Sequence, residues 1–397
     1  MEDVFGEEAE GMPTPVHADL ETDRRFEDFW ASQDPIEPIE PDAYANSVLH
    51  KIVHEGFIKS GWSFRKGRAT VYGPKSAVCF TEMPLSSLVA YAKKRGKNHT
   101  VKAYAIGLLK SELFAAGGRP TIYGLTGKHE EADQALWPRY LADEYGIGES
   151  EQYRYVALNL DATRRIDWTH EREWRWADHH NAVSVPGLPV WRVGEPVAFT
   201  RAIIVVQSEV EVRELLDLLR RMIDTGPYGS DVCYNLSLLQ ATAVISIDEL
   251  EEAKLLKATA ALTLEQIPHQ FLQYTPNISA SEDQKRLVGA TIAEALRAAE
   301  AAAAEWRKGG DRDVCGSAQL IIEDATSEFV RAALELKLVE PFGGIHPFGP
   351  GGYWLMGIGK FCKMQGLGES EAAVEAARGV ILRHFPELFI RVHTCWD

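Results

Sequence analysis

The sequence predicts an α+β fold: a mostly antiparallel sheet with helices over the N-terminal two-thirds, then a small α+β module. Three observations predict it. Short β-branched and aromatic segments alternate with turns from Trp62 to Leu125, with two helices among them. The Ala-rich stretch Glu282–Lys308 carries the clearest helical pattern and ends at Gly309-Gly310. After it the chain reads strand, helix, strand, helix, strand. A length of 397 residues leaves room for two or three domains.

Residues 1–42 form an acidic, Pro-rich leader with Pro35, Pro38 and Pro41 among acids, a composition that resists packing. A first domain spans 43–226. It opens with a helix over Ala43–Glu55 that stops at Gly56, a common C-cap. Strands follow at Arg68–Tyr72, Ala77–Thr81, Tyr104–Leu109 and Pro120–Leu125, with helices at Leu85–Arg95 and Ser111–Ala116. Tyr153–Leu160, Asp167–Trp176 and Arg201–Gln207 read as further strands, and Ser208 caps a helix over Glu209–Ile223. A helical connector covers 227–310, with helices expected at Leu236–Ser246 and Ile247–Leu262. The last domain, 311–397, holds strands at Ala318–Glu323, Tyr353–Gly357 and Leu388–Thr394 and helices at Ser327–Leu338 and Ser370–Phe385.

Composition narrows the function. No run of about 18 apolar residues exists and the first thirty residues are acidic, so neither a membrane span nor a secretory signal is expected. The five cysteines lie far apart with no C-x-x-C, which suits a reduced cytoplasm and argues against a disulfide framework or a zinc knuckle. Net charge is −16, unlike a protein that coats nucleic acid. The average conceals an asymmetry. Residues 1–45 carry 14 acids against Arg24 and Arg25, whereas residues 51–110 carry 12 Lys and Arg against Glu55 and Glu82. The basic segment reads either as an ordinary solvated surface or as a face for an anion such as a dinucleotide, RNA or DNA. G-x-G-x-x-G, the P-loop, H-E-x-x-H and G-x-S-x-G are all missing. No metal is expected, His179-His180 reading as a polar turn.

The run Asp167–Trp176 is the most unusual in the chain. As a strand, period two puts Trp168, His170, Arg172, Trp174 and Trp176 on one face and Thr169, Glu171, Glu173 and Arg175 on the other. Glu171 and Glu173 would then stand roughly 6.5–7 Å apart, repelling each other, with an arginine beyond. Such a pair suits a site acting on a cation-like transition state; it also suits a surface strand whose acids pair with neighbouring arginines. The tryptophans read as packing, and His50 and His54 as helix-surface histidines.

Three segments carry a resemblance. Tyr72–Leu85, containing Val78-Cys79-Phe80-Thr81-Glu82-Met83-Pro84-Leu85, resembles a segment of the bacterial abortive-infection (AbiGi-like) phage-defence family. Ala103–Lys110 with Gly118–Tyr123, and then Glu171-Arg172-Glu173-Trp174-Arg175, follow in that family's order. The same order is remotely similar to ADP-ribosyltransferases, whose split sheet grips NAD through a basic or histidine residue, a Ser/Thr/Tyr strand and a Glu. The resemblance implies Glu173 and Glu171 as catalytic residues, Arg68 and Arg65 on the pyrophosphate, Thr81 on the nicotinamide ribose and Tyr72 stacked on nicotinamide. The usual first motif, H-x-T on a strand, is not matched, since His50 and His54 fall on the predicted helix. The implied activity is NAD-dependent ADP-ribosyl transfer by a cytoplasmic toxin with a neutralising antitoxin partner. The basic 51–110 segment makes RNA an attractive acceptor. The alternatives are a non-enzymatic scaffold that assembles through its acidic and basic surfaces, and a metal-independent nuclease using Glu171 and Glu173.

Overall fold

The computed structural model describes residues 41–65, 68–96, 102–125, 139–160, 165–177, 187–193, 199–226, 228–229, 232–258, 262–309, 314–341, 352–362 and 366–396. The acidic leader, apart from Pro41 and Asp42, and the His179-His180 pair lie outside them. The chain is a mixed α+β protein whose strands are divided among several small open sheets.

The first helix, Pro41–Glu55, ends where Gly56 takes φ +74° and donates its N–H to the Ile52 carbonyl at 2.9 Å. A four-stranded sheet follows, in the order Gln273–Tyr274, Thr242–Ser246, Ala202–Val206, Ala105–Leu108. Its two central strands are parallel, and every residue in both is buried. That explains why neither alternates apolar with polar residues, since a strand covered on both faces has no reason to. The helix Glu209–Thr225 starts at a capping box between Ser208 and Glu211 and buries Val212, Leu215, Leu219 and Met222. These residues pack with Leu49 and Val53 of the first helix and with fully buried Trp191. On the opposite face, Leu85 and Val89 from the helix Leu85–Gly96 meet Ile203, Val205 and Ile245.

A second, three-stranded antiparallel sheet lies in the order Ala77–Thr81, Glu173–Ala177, Arg119–Pro120. Ile122–Leu125 pairs in parallel with Tyr155–Leu158. The C-terminal sheet, Val339–Pro341, Tyr353–Leu355, Gly316–Ile322, Ile390–Trp396, is antiparallel throughout. One apolar core joins it to the helices Glu282–Lys308, Glu328–Glu335 and Leu367–His384. Ala295, Ala299 and Ala303 repeat at four-residue intervals along the first of these, and Ala373 and Ala377 do so on the last; side chains this small let two helices approach closely.

One expectation needs correction. The helix expected over Leu236–Ser246 stops at Gln240, and Thr242–Ser246 is a central strand: its β-branched, fully buried residues pair with Ala202–Val206, and that pairing outweighs local helical pattern. Strand pairing is mostly antiparallel, as expected, with two parallel pairs.

Buried charge ties the C-terminal module to helix Glu209–Thr225. Asp224 accepts from Arg331 Nη1 at 3.0 Å, from Tyr353 Oη at 2.5 Å and from Arg220 Nε at 2.9 Å. Two turns earlier, Asp217 accepts the Ala325 N–H at 2.7 Å and pairs with Arg221. Arg331 and Tyr353 are nearly inaccessible, so Asp224→Ala strands a buried guanidinium. Unfolding free energy should fall by about 3–5 kcal/mol in a denaturant titration.

Two neighbouring groups titrate in opposite senses. Burial pushes the Asp217 carboxyl up to about 6, against the pull of Arg221. Burial, with Arg221 beside it, pushes His50 down to about 4, so this histidine is a half-buried neutral group rather than a surface cation. A raised carboxyl contributes stability at low pH that is lost as pH rises through about 6. A depressed histidine contributes stability above 6.5 that is lost as pH falls towards 4. Between pH 6.5 and 4, Asp217→Asn should therefore steepen the acid loss of stability, and His50→Gln should flatten it, read as denaturation midpoints against pH.

Candidate functional site

The chain Asp167–Ala177 does not run as one strand. Asp167 accepts the Thr169 N–H at 3.1 Å and the Thr169 hydroxyl at 2.6 Å, which starts a 3₁₀ turn over Thr169–Glu171. Arg172 then takes φ +48°, a left-handed conformation that a residue with a Cβ adopts only under local constraint. The strand begins at Glu173. The face shared by Glu171 and Glu173 is therefore broken at Arg172. From Glu173 onward the period-two reading holds, with Glu173 and Arg175 on one face and Trp174 and Trp176 on the other.

Each glutamate has its own holder. Arg175 Nε donates to Glu173 Oε1 at 2.8 Å, and Arg175 Nη1 donates to the Tyr153 carbonyl at 2.7 Å and the Tyr155 carbonyl at 3.3 Å. The guanidinium side chain is 6% exposed and the Glu173 side chain 12%. Burial would lower the Arg175 pKa, but Glu173 and the Cys79 thiol more than offset this and hold it above its ordinary value. Glu171 points to a different element. Tyr91, on the helix Leu85–Gly96, donates its hydroxyl to Glu171 Oε1 at 2.8 Å. Thr81 lies opposite Glu173 in the ladder; its hydroxyl donates to the Glu171 carbonyl at 2.6 Å and accepts the Met83 N–H at 3.1 Å.

Cys79 pairs with Arg175 across the same ladder. Its side chain is exposed, yet the protein around it pushes its pKa up to about 12, with Arg175 pulling it down and Glu173 pushing it up. At neutral pH it is a thiol and a poor nucleophile. On the other face, Trp174 Nε1 donates to Glu82 Oε2 at 3.0 Å and Lys110 sits 5.0 Å over the Trp174 ring. The hydrogen bond from Lys110, with Trp174 and Arg172 nearby, holds the Glu82 carboxyl below its usual range. Trp176 is buried and donates to the Ala116 carbonyl at 2.9 Å.

Glu171, Glu173 and Thr81 thus meet at one end of the three-stranded sheet, while Tyr72 lies elsewhere. Its ring is 6% exposed, edge-on to Tyr155 at 5.3 Å and capped by the Arg139 guanidinium at 4.5 Å, so it offers no face for nicotinamide. Arg65 and Arg68 pair through their backbones in a short hairpin; their side chains lie outside the described residues. Thr81 positions Glu171 and has already committed its proton there. Tyr91 escaped sequence reasoning because a tyrosine in a helix carries no signal of which residue it will meet. Among the described residues no three His, Cys, Asp or Glu side chains gather as metal ligands, and no helix is long and apolar enough to cross a membrane.

Comparison with family models, with curated proteins and with solved structures gives no match to this chain. The three-segment resemblance therefore carries its functional content forward only as a proposal.

Two substitutions test the geometry. Glu173→Ala leaves a buried guanidinium without its carboxylate and should lower unfolding free energy by about 3 kcal/mol, whereas Glu173→Gln, which keeps an acceptor oxygen, should cost about 1 kcal/mol. Denaturant titration reads both. Equal costs would place Arg175 in another pairing.

Proposed function

We infer that the chain is an NAD-dependent ADP-ribosyltransferase acting as a phage-defence toxin, with nucleic acid, RNA foremost, as acceptor. The observation that carries the reading is the end of the three-stranded sheet. There Glu173 stands as the first residue of the middle strand and Glu171 lies one left-handed residue upstream. Separate elements fix the two carboxylates, Arg175 holding Glu173 and Tyr91 holding Glu171. The division of the N-terminal strands among separate small sheets supports the split-sheet architecture that this reading requires.

NAD is the substrate here. The bond between ribose C1′ and the nicotinamide nitrogen breaks, its electron pair leaves with nicotinamide, and the ribose passes through an oxocarbenium-like state. Glu173 accepts a hydrogen bond from the ribose 2′-hydroxyl and stabilises the developing cation, an electrostatic contribution of several kcal/mol in comparable sites. Arg175 holds that carboxylate in place. Glu171 takes the proton from the acceptor as the acceptor's bond to C1′ forms. Arg65 and Arg68 are the assigned pyrophosphate cations. Thr81 and Tyr91 position Glu171. A toxin of this kind acts alongside a neutralising antitoxin.

The Glu173–Arg175 ion pair also gives a reason to keep the scaffold reading. A strand with no chemistry would pair its acid in the same way. Incubation with NAD labelled in the adenylate half separates the two. The enzyme reading expects label on RNA, DNA or protein, and expects Glu173→Gln, folded by circular dichroism, to lose it about a hundredfold or more. A wild-type protein that neither consumes NAD nor transfers label sinks the enzyme reading in favour of the scaffold. Strand scission without NAD would turn the site into a nuclease.

A further inference from the structure

The turn that carries Glu171 also sets three rings in a row. The centroids of Tyr91 and His170 are 5.7 Å apart with their planes at 55°, and those of His170 and Trp168 are 6.1 Å apart at 34°. His170 is exposed and the other two are half-buried. The row is held rigidly. Tyr123 donates its hydroxyl to the Trp168 carbonyl at 3.3 Å, the Glu171 N–H donates to the same carbonyl at 3.0 Å, and Tyr91 is fixed by its bond to Glu171. Aromatic surface held at the protein surface by a rigid turn is a contact surface in waiting.

Exposed cations stand beside the row, together with the acids Asp167, Glu171 and Glu82. The helix that supplies Tyr91 contains no acid and continues into exposed Lys93 and Lys94. Arg172 lies on the other side, its side chain 53% exposed. Lys93 pairs with Glu251, and Arg172 lies 3.7 Å from Glu82. Pairs this exposed contribute little, so a phosphate can take either cation at small cost.

We propose that the Trp168–His170–Tyr91 row is a stacking platform for the bases of single-stranded nucleic acid, presenting them to Glu171. The inference rests on Glu171 and Glu173 as the reaction centre and names the acceptor subsite. Bases in a duplex have their faces covered by their neighbours, so only a single strand can lay a base on the row. The rings stand too close to admit a base between them, which needs about 7 Å, twice the stacking rise. A base therefore lies on the outer side of His170 and Trp168, with Lys94 and Arg172 as the cations for the phosphates.

The test uses the full chain without NAD, so its failure is distinct from failure of the transferase reading. Fluorescence polarisation of a labelled 12-mer is measured as single-stranded RNA, as single-stranded DNA and as the corresponding duplex. The platform predicts that both single strands bind more tightly than the duplex. It also predicts that His170→Ala and Trp168→Ala each weaken single-strand binding roughly five- to a hundredfold. His170 is exposed, so its variant stays interpretable if Trp168→Ala fails to fold. Lys94→Gln should weaken all three ligands and reduce the salt dependence of binding. Duplex binding as tight as single-strand binding, or unchanged binding in His170→Ala, overturns the platform even where NAD is consumed; so does label transfer to protein alone.

Discussion

The arrangement of the site depends on one buried cation. Arg175 lies beneath the sheet end with almost no contact with water, and a guanidinium there is tolerable only if its donors are satisfied and its charge is countered. Glu173 supplies the countercharge, accepting from Nε and Nη2, and the Tyr153 and Tyr155 carbonyls accept from Nη1. That requirement fixes which face of the strand Glu173 occupies. It also joins the Glu173–Ala177 strand to the 3₁₀ segment Glu149–Arg154 and to the Tyr155–Leu158 strand. Glu171 is freed from this face by the left-handed turn at Arg172 and is claimed by Tyr91 instead. Two carboxylates two residues apart consequently have different surroundings, as an electrostatic stabiliser and a proton acceptor would require.

A second buried charge cluster performs the equivalent task between the two halves of the protein. Asp224 gathers Arg220, Arg331 and Tyr353, and Asp217 gathers Arg221 and the Ala325 amide, so one helix is fixed by polar bonds on its C-terminal side and by apolar packing on its sheet side. Charged pairs of this kind specify a single docking geometry more than they add stability, because each ion loses its hydration. The same helix covers the parallel strands that bury the face of Leu85–Gly96, and through that helix the position of Tyr91 is linked to the core.

Much of this was legible in the sequence, for physical reasons that differ by element. Glu282–Lys308 was readable to the residue because Ser281, a run of strong helix formers and Gly309 agree with one another. Ala77–Thr81 was readable because turn residues bound it on both sides. Thr242–Ser246 was not, since its strand state comes from a partner about forty residues away. At the site, period two found the Glu173–Arg175 face correctly but ran straight through Arg172, where the Asp167–Thr169 turn breaks the strand. Tyr72, to which the resemblance gave a ligand face, is enclosed by Arg139 and Tyr155, which nothing local in the sequence reveals. The pairing of Tyr91 with Glu171, 80 residues apart, has no sequence signal at all.

The most direct measurement of the central claim is a crystal structure of the protein with NAD or an unreactive analogue bound. The account expects the nicotinamide ribose against the first turn of the Glu173–Ala177 strand, its 2′-hydroxyl within hydrogen-bond reach of Glu173, with Arg175 still beneath the carboxylate. A dinucleotide bound elsewhere, with Glu173 wholly engaged by Arg175 and sealed from the ligand, contradicts it.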